Sequence, residues 1–428
     1  MDRTTIENIK LDQVNFVQGF VENIRNKKTM AFIVLRDSTG KLQITIEKGK
    51  NQILDEIVDQ ITLESVISVT GIAQTNDFVK LGGIELLADN ITLDSKAEAL
   101  PIHQDASIDL RMDYRWLDLR SDKNLLMFKV QTLLLQSMKQ FVFDKGFIEI
   151  HSPKIIGTAS ESGSDVFELK YFDTKAYLSQ SPQFYKQMAM ASGFEKVVEV
   201  GPVFRAEKSY TSKHATEFTG FDIEFSYINS YHDIMKFEEE LIVHALSTVK
   251  EKYGEQIKQL FNTEIIVPSV PFPILTLEQV YKELESRYNF TVDNALKGDL
   301  TTDAEKLCYN LAQDMFNSEF LFVTNFDKDV RPFYHMIIDG VPQGYDLIYK
   351  GVEITTGAQR EHRYDILCQQ AKQKGLDKDV EFYLEFFKYG CPSHGGFGIG
   401  LDRLTMLLLN LTIKEVMFLF RGPNRIHP

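Results

Sequence analysis

The stretch Gly201-Pro-Val-Phe-Arg-Ala-Glu-Lys-Ser-Tyr-Thr-Ser-Lys-His-Ala-Thr-Glu-Phe218, with the residues that follow it, carries the decision about the fold. Just beyond it Phe221, Ile223, Phe225 and Tyr227 alternate, which places them on one face of a strand and Asp222 and Glu224 together on the other. The residues before the loop read as a partner strand, and the loop itself bears Arg205, Lys208, Lys213 and His214. Cations fixed on a loop beside a sheet suit a triphosphate. A solvated hairpin accounts for the same charges if they do no more than face water.

Working outward, the spacing of Leu126, Val130, Leu133, Leu134, Met138 and Phe141 predicts a long amphipathic helix, with Gly146 where a C-cap belongs. From there to the end, strand runs and helical segments mix without regular β-α-β alternation, which predicts an α+β domain on an antiparallel sheet. The first ninety-odd residues differ. Asn15–Val21, Ala31–Arg36, Lys41–Ile46, Val66–Ile72 and Ile84–Ile91 read as strands, Asn51–Gln60 as a helix, and turn signals stand at Asp37–Gly40 and Leu81–Gly83. Five short strands and one helix fit an OB-type β-barrel, a platform for single-stranded nucleic acid, or another small β-domain. The expected boundaries are a barrel over 1–95, a linker over 96–112 and an α+β domain over 113–428 with an insertion around 256–341.

Composition bounds the rest. With 428 residues, 43% hydrophobic and 25% charged, the chain is outside the disordered range and can hold two or three domains. A net charge of −14 argues against a surface that binds polyanions everywhere and leaves room for a local basic patch. Cys308, Cys368 and Cys391 lie far apart, which argues against a disulfide framework or a cysteine zinc site. The N-terminus has no apolar signal segment, and the run Leu404–Ile413 is too short and too broken by Thr405, Asn410 and Thr412 to cross a bilayer. A soluble cytoplasmic protein with no membrane partner is expected.

Two further constellations carry chemistry. In Tyr345-Asp-Leu-Ile-Tyr-Lys-Gly-Val-Glu-Ile-Thr-Thr-Gly-Ala-Gln-Arg360, a two-residue turn at Lys350-Gly351 sets Ile348 opposite Glu353 and Asp346 diagonal to Glu353 on the same face. Two such carboxylates could hold Mg²⁺ against phosphate oxygens, and their burial would require a cation. In Ser393-His-Gly-Gly-Phe-Gly-Ile-Gly-Leu-Asp-Arg403, glycines let backbone approach a planar ligand, and Arg403 stands near a helix start. The run lacks the G-K-[ST] ending of a P-loop and the β-α-β setting of a dinucleotide fold, so kinase and dehydrogenase readings have no support.

In this order, these segments resemble the three signature motifs of the class II aminoacyl-tRNA synthetases. Lys145-Gly-Phe-Ile-Glu-Ile-His-Ser-Pro153 resembles the first, a dimer-interface helix and strand; Phe204-Arg-Ala-Glu207 with the loop to Phe218 resembles the second; Gly398-Ile-Gly-Leu-Asp-Arg403 resembles the third. Over nearly the whole length the chain is most similar to the aspartyl-tRNA synthetases of archaeal and eukaryotic type. Gln180-Ser-Pro-Gln-Phe-Tyr-Lys-Gln187, Gly357-Ala-Gln-Arg-Glu-His-Arg-Tyr-Asp365 and Pro392-Ser-His-Gly-Gly-Phe-Gly398 carry that likeness, the first of them favouring the aspartyl over the asparaginyl branch.

The resemblance implies a homodimeric ligase that activates L-aspartate with ATP and Mg²⁺ and charges tRNA(Asp), with tRNA(Asn) left open as a second acceptor. It implies that Arg205 holds the α-phosphate and the amino acid's carboxylate, Glu207 the adenine amino group or the acceptor end, and His214 the outer phosphates. Phe218 and Arg403 would stack on the two faces of adenine, Arg403 also clamping the γ-phosphate. Asp346 and Glu353 would bind Mg²⁺. Lys186 and Arg360 would pair with the substrate's side-chain carboxylate, a pair that asparagine would leave uncompensated. Gln183 and Asp222 would orient the ammonium group, Thr356 stands at a frequent serine position, and Glu161 lies in the loop over the amino-acid site. In the barrel, Arg25, Phe32 and Gln43 would meet anticodon bases, with a place in the barrel core as the alternative for Phe32.

Departures from the family pattern are Ser162 for a glycine in that loop, Tyr210 and Ala215 in the motif-two loop, Gly422 for an aspartate and Glu22 after the first barrel strand. Three other readings stand beside the ligase: an asparaginyl-tRNA synthetase-like enzyme, a catalytically idle tRNA-binding paralogue, and an asparagine-forming relative that transfers activated aspartate to ammonia.

Overall fold

The computed structural model describes residues 2–103, 105–158, 166–208, 211 and 213–428. The chain divides into two units, Met1–Ser107 and Ile108–Pro428. Residues 108–112, expected as linker, instead begin a helix, Ile108–Asp113, of the second unit.

In the first unit, β1 (Val14–Asn26), β2 (Met30–Arg36), β3 (Lys41–Glu47), β4 (Val66–Thr75) and β5 (Ile84–Ser95) close a barrel in the order β1-β2-β3-β5-β4. Helix α1 (Gln52–Val58) follows β3 and is capped by the side chain of Asn51. Inward positions alternate along each strand: Val17 and Val21; Ala31, Ile33 and Leu35; Leu42, Ile44 and Ile46. Burying an aliphatic side chain of this kind contributes about 1.5–3 kcal/mol. Gly71 stands at a register shift between β4 and β5, where an added Cβ would lie 2.0 Å from the Leu87 carbonyl oxygen.

The second unit is built on an eight-stranded sheet. Its strands are β6 (Ile148–Glu149), β7 (Lys196–Phe204), β8 (Glu217–Ser226), β9 (Ile274–Thr276), β10 (Phe320–Thr324), β11 (Gly344–Tyr349), β12 (Val352–Gln359) and β13 (His394–Gly400), in the order β9-β10-β11-β12-β13-β8-β7-β6. Every pairing from β10 to β7 is antiparallel, and β6 and β9 add parallel at the two ends. The α+β reading with an antiparallel sheet matches this architecture.

Helix α2 (Asp122–Asp144) buries Leu126, Val130, Leu134 and Met138, and Gly146 takes φ +83° just past its end. Together with α3 (Tyr231–Phe261) it packs on Phe221 and Ile223 of β8 and on Phe397 and Ile399 of β13. That apolar face leaves Asp222 and Glu224 on the opposite one. Tyr227, expected to continue the alternation, falls beyond the end of β8 with φ +62° and is exposed. Among the described residues no helix is long and apolar enough to cross a membrane.

Candidate active site and nucleic-acid face

The site lies on the polar face of β8, β13, β12 and β11, where strand order sets which side chains meet. Ala358, Gly396 and Glu224 form one row across the sheet; Thr356, Gly398 and Asp222 form another. The glycines of β13 leave a trough between its neighbours. A Cβ at Gly396 would lie 2.5 Å from the Glu224 carboxylate, and one at Gly398 would lie 2.7 Å from that of Asp222. Arg360, just past the end of β12, reaches across this trough. Its Nε donates to Glu224 Oε1 at 2.9 Å, and its Nη2 donates to the Gly396 carbonyl at 2.9 Å and to Gln183 Oε1 at 3.3 Å. The first task of these glycines is therefore an ion pair across the sheet, ahead of the approach of a planar ligand expected from sequence.

Lys186, on the helix Gln183–Ala191, donates to Asp222 Oδ1 at 2.9 Å and lies 3.6 Å from Glu224. Burial alone would raise the Glu224 carboxyl, but Arg360 and Lys186 outweigh it and hold the group below the ordinary glutamate range. Arg360 and Lys186 thus do not wait uncompensated for a substrate carboxylate, contrary to the expectation from sequence: two carboxylates from β8 already face them. Lys186 is fully buried behind Asp222 and does not line the cleft, whereas Gln183, Asp222, Thr356 and Arg360 do.

The paired carboxylates of the β11–β12 hairpin come together as the turn predicted. Lys350 and Gly351 both take positive φ, at 49° and 76°, and Ile348 pairs with Glu353. A register shift leaves Ile354 outside the pairing. The extra residue turns Glu353 and Thr356 to one face, where a regular strand would set them on opposite faces. Thr356 Oγ1 lies 2.9 Å from Asp346 Oδ1 and 3.2 Å from Glu353 Oε1. Of this pair Asp346 is buried and Glu353 half-buried, and the cation that offsets the burial of Asp346 is Arg331, which sequence reasoning missed. Its Nη1 and Nη2 donate to the two Asp346 oxygens at 2.9 and 2.7 Å, and its guanidinium lies 3.6 Å from the Phe326 ring centroid. Burial pushes the Asp346 carboxyl up, and Arg331 opposes that shift.

Of the two carboxylates expected to bind Mg²⁺, Glu353 lines the cleft, whereas Asp346 does not and both of its oxygens accept from Arg331. The two carboxylates share the Thr356 hydroxyl, whose single proton can go to only one of them at a time. Among the described residues no cluster of three or more His, Cys, Asp or Glu could hold a metal by itself, so further ligands would come from substrate or water.

The loop cations close the other end of a cleft of about 520 Å³, which Arg205, Glu207, Lys213, His214, Phe218, Arg331, Glu353, Arg360 and Arg403 all help to line. The Arg205 guanidinium lies 5.7 Å from the Phe218 ring centroid and 3.7 Å from Glu207. Arg403, in the first turn of the helix Leu401–Leu409, donates to the Glu353 carbonyl at 2.6 Å. Its neighbour Asp402 accepts from the Thr219 backbone N–H at 2.8 Å and so ties that helix to β8. Burial, Arg403 and Lys213 hold the His214 imidazole below its ordinary pKa. Glu161, Ser162 and Tyr210 lie outside the described residues.

On the barrel, Phe32 lies between the core positions Ala31 and Ile33 and faces outward, half-buried, so the core alternative for it is set aside. Arg25 lies 5.4 Å from its ring centroid and donates to Gln43 Oε1 at 3.3 Å. The three residues expected together therefore share one patch. Beside them Glu85, unforeseen from sequence, accepts from Gln43, Thr45, Gln74 and Asn76. Burial would raise its carboxyl, but these donors together lower it, so a stable anion stands next to Gln43.

A barrel of this type and an antiparallel sheet carrying these three segments define a tRNA synthetase of the second structural class. The chain belongs to that family: the description tRNA synthetases class II (D, K and N) matches residues 107–421, and an OB-fold nucleic acid binding domain matches residues 16–94. Among individual relatives, it is 40% identical over 419 residues to the aspartate–tRNA(Asp/Asn) ligase of Methanopyrus kandleri, covering 96% of this chain and 95% of that one. It is 38% identical over 423 residues to the aspartate–tRNA(Asp) ligase of Pyrococcus horikoshii, with the same coverage of 96% and 95%. The structure of asparaginyl-tRNA synthetase from Pyrococcus horikoshii complexed with asparaginyl-adenylate aligns with a TM-score of 0.91 at 30% identity, covering 100% of both chains.

Proposed function

We propose that this aminoacyl-tRNA synthetase is an aspartate–tRNA ligase. One observation carries the reading: Arg360, pinned above Glu224, lines the same cleft as Arg205, Phe218 and Arg403. An amino acid bound between Arg360 and Arg205 would have its α-carboxylate at the nucleotide end. A carboxylate oxygen attacks the α-phosphorus of ATP; a P–O bond forms to aspartate as the bond to pyrophosphate breaks, giving aspartyl-adenylate. No protein nucleophile is required, because positioning and charge neutralisation supply the rate.

In this reading Arg205 neutralises the α-phosphate and orients the carboxylate, Phe218 and Arg403 hold adenine from its two faces, and His214 and Lys213 face the outer phosphates. Gln183 and Asp222 orient the ammonium group, with Lys186 fixing Asp222. Asp346 and Glu353 would hold Mg²⁺, which when bound draws charge from the phosphate oxygens. The terminal ribose of tRNA(Asp) then takes the aspartyl group at its 3′ hydroxyl.

Asparagine remains a second candidate for one specific reason. Two cations balanced by Asp222 and Glu224 leave the cluster without net charge, so an amide there strands no ion. ATP–pyrophosphate exchange without tRNA, with aspartate and asparagine side by side, tests both. Exchange with aspartate alone is the expected result, and exchange with asparagine alone overturns the proposal.

The barrel patch is proposed as the anticodon reader. Phe32→Ala should lower tRNA charging about 5- to 150-fold, the equivalent of one stacked base, and leave exchange unchanged. An equal fall in exchange would remove Phe32 from RNA binding. A homodimer is also proposed. Strand β6 ends the eight-stranded sheet, and its Ile148 is about half exposed, at 48%. Light scattering after size exclusion should give twice the 49.2 kDa chain mass, and a monomer would refute it.

A further inference from the structure

The segment 256–341 has no role in the reading from sequence, yet it supplies three walls of the nucleotide end of the cleft: Thr302, Glu305 and Arg331. It is firmly built. The helices Leu277–Tyr288 and Thr302–Phe316 pack Val280, Leu284 and Leu311 against Leu321 and Val323 of β10 and Ile348 of β11. Glu305 lies in the first turn of the second helix, whose start is capped by Thr301.

The Glu305 carboxylate is buried, and each oxygen has a donor from a different part of the site. Oε2 accepts from Lys213 Nζ at 2.6 Å, and Oε1 accepts from the Glu353 backbone N–H at 2.6 Å. The carbonyl of the same Glu353 accepts from Arg403. A loop cation, a strand edge and the helix-borne arginine are thus tied at one residue. Lysine on a long loop has a mobile ammonium, and holding it costs side-chain entropy. A fixed carboxylate takes one of its three N–H donors and leaves two for other acceptors, and Lys213 lines the cleft.

We propose that Glu305 is a positioning residue for ATP, docking the loop that carries Lys213 so that its ammonium stands ready for the triphosphate. The inserted segment is thereby the anchor of the nucleotide-binding loop. This inference rests on the ATP site of the proposed function and does not depend on which amino acid is activated.

Glu305→Gln is the informative change, because the amide oxygen can still accept from the Glu353 N–H while the charge that holds Lys213 is lost. Calorimetric titration with Mg-ATP, in the absence of amino acid, should show Kd raised about tenfold, the loss expected for one preorganised charged contact. Lys213→Ala should weaken ATP to a similar extent, and the double variant should be no weaker than either single one. In exchange assays KM for ATP should rise while KM for aspartate stays unchanged. Additive losses in the double variant would overturn the proposal, as would an unchanged Kd. A lowered Kd would also overturn it, and would make Glu305 a competitor of phosphate for Lys213. If wild-type protein binds ATP but exchanges with neither amino acid, the proposed function fails while this test still reads out.

Discussion

Arg360→Gln is expected to lower aspartate-dependent exchange by roughly 10³-fold or more, because a buried polar site loses both its substrate contact and its internal partner. Glu224 is fully buried and, among the described residues, would keep Lys186, 3.6 Å away, as its cationic partner. Removing one member of a buried ion pair costs about 3–5 kcal/mol, so the variant should also melt earlier. Glu224 titrates below its ordinary value in the folded chain. Its contribution to stability is therefore present above the ordinary glutamate range and is lost as pH falls through the lowered folded value. The melting difference between wild type and variant should accordingly be largest near neutral pH and narrow on acidification. ATP affinity, measured by titration, should survive. Exchange at the wild-type rate would remove Arg360 from the pocket, and a melting difference independent of pH would refute the role given to Glu224.

Asp346→Asn is expected to lower exchange by about 10²- to 10³-fold and to shift the Mg²⁺ dependence to higher concentration, since an amide gives one weak ligand where a carboxylate gave an anionic one. The change is nearly isosteric, but Arg331 would lose its bidentate partner and one of its N–H groups would face the amide nitrogen. A Mg²⁺ titration followed by ATP binding separates the two effects. Weaker ATP binding at low Mg²⁺ that recovers at high Mg²⁺ supports metal ligation; weaker binding at every concentration assigns Asp346 only to holding Arg331.

The barrel, the antiparallel sheet and the three signature segments were legible in the sequence because each is a local signal. Alternation along β8, the two-residue turn at Lys350-Gly351 and the spacing of α2 each fix which face a side chain takes within a few residues. Asp346 and Glu353 could be paired in advance for that reason, as could Asp222 with Glu224. The same locality set a limit. The alternation carried on to Tyr227 although the strand ends at Ser226, and the polar stretch around residue 100 was extended five residues into a helix.

Tertiary structure alone decided the partners of the charges. Arg360 and Glu224 are 136 positions apart, Lys213 and Glu305 92, and Arg331 and Asp346 15 with an intervening two-stranded turn. Their meeting depends on β13 lying between β12 and β8 and on the inserted helix reaching the loop. No periodicity in the chain encodes those distances. The amino acids by themselves determined which groups carry charge and which face of each element is polar. Only the folded sheet determined that every buried cation at the amino-acid end already has a counter-ion. Desolvation forces that outcome, since a lone charge in the interior would cost more than the fold can offset.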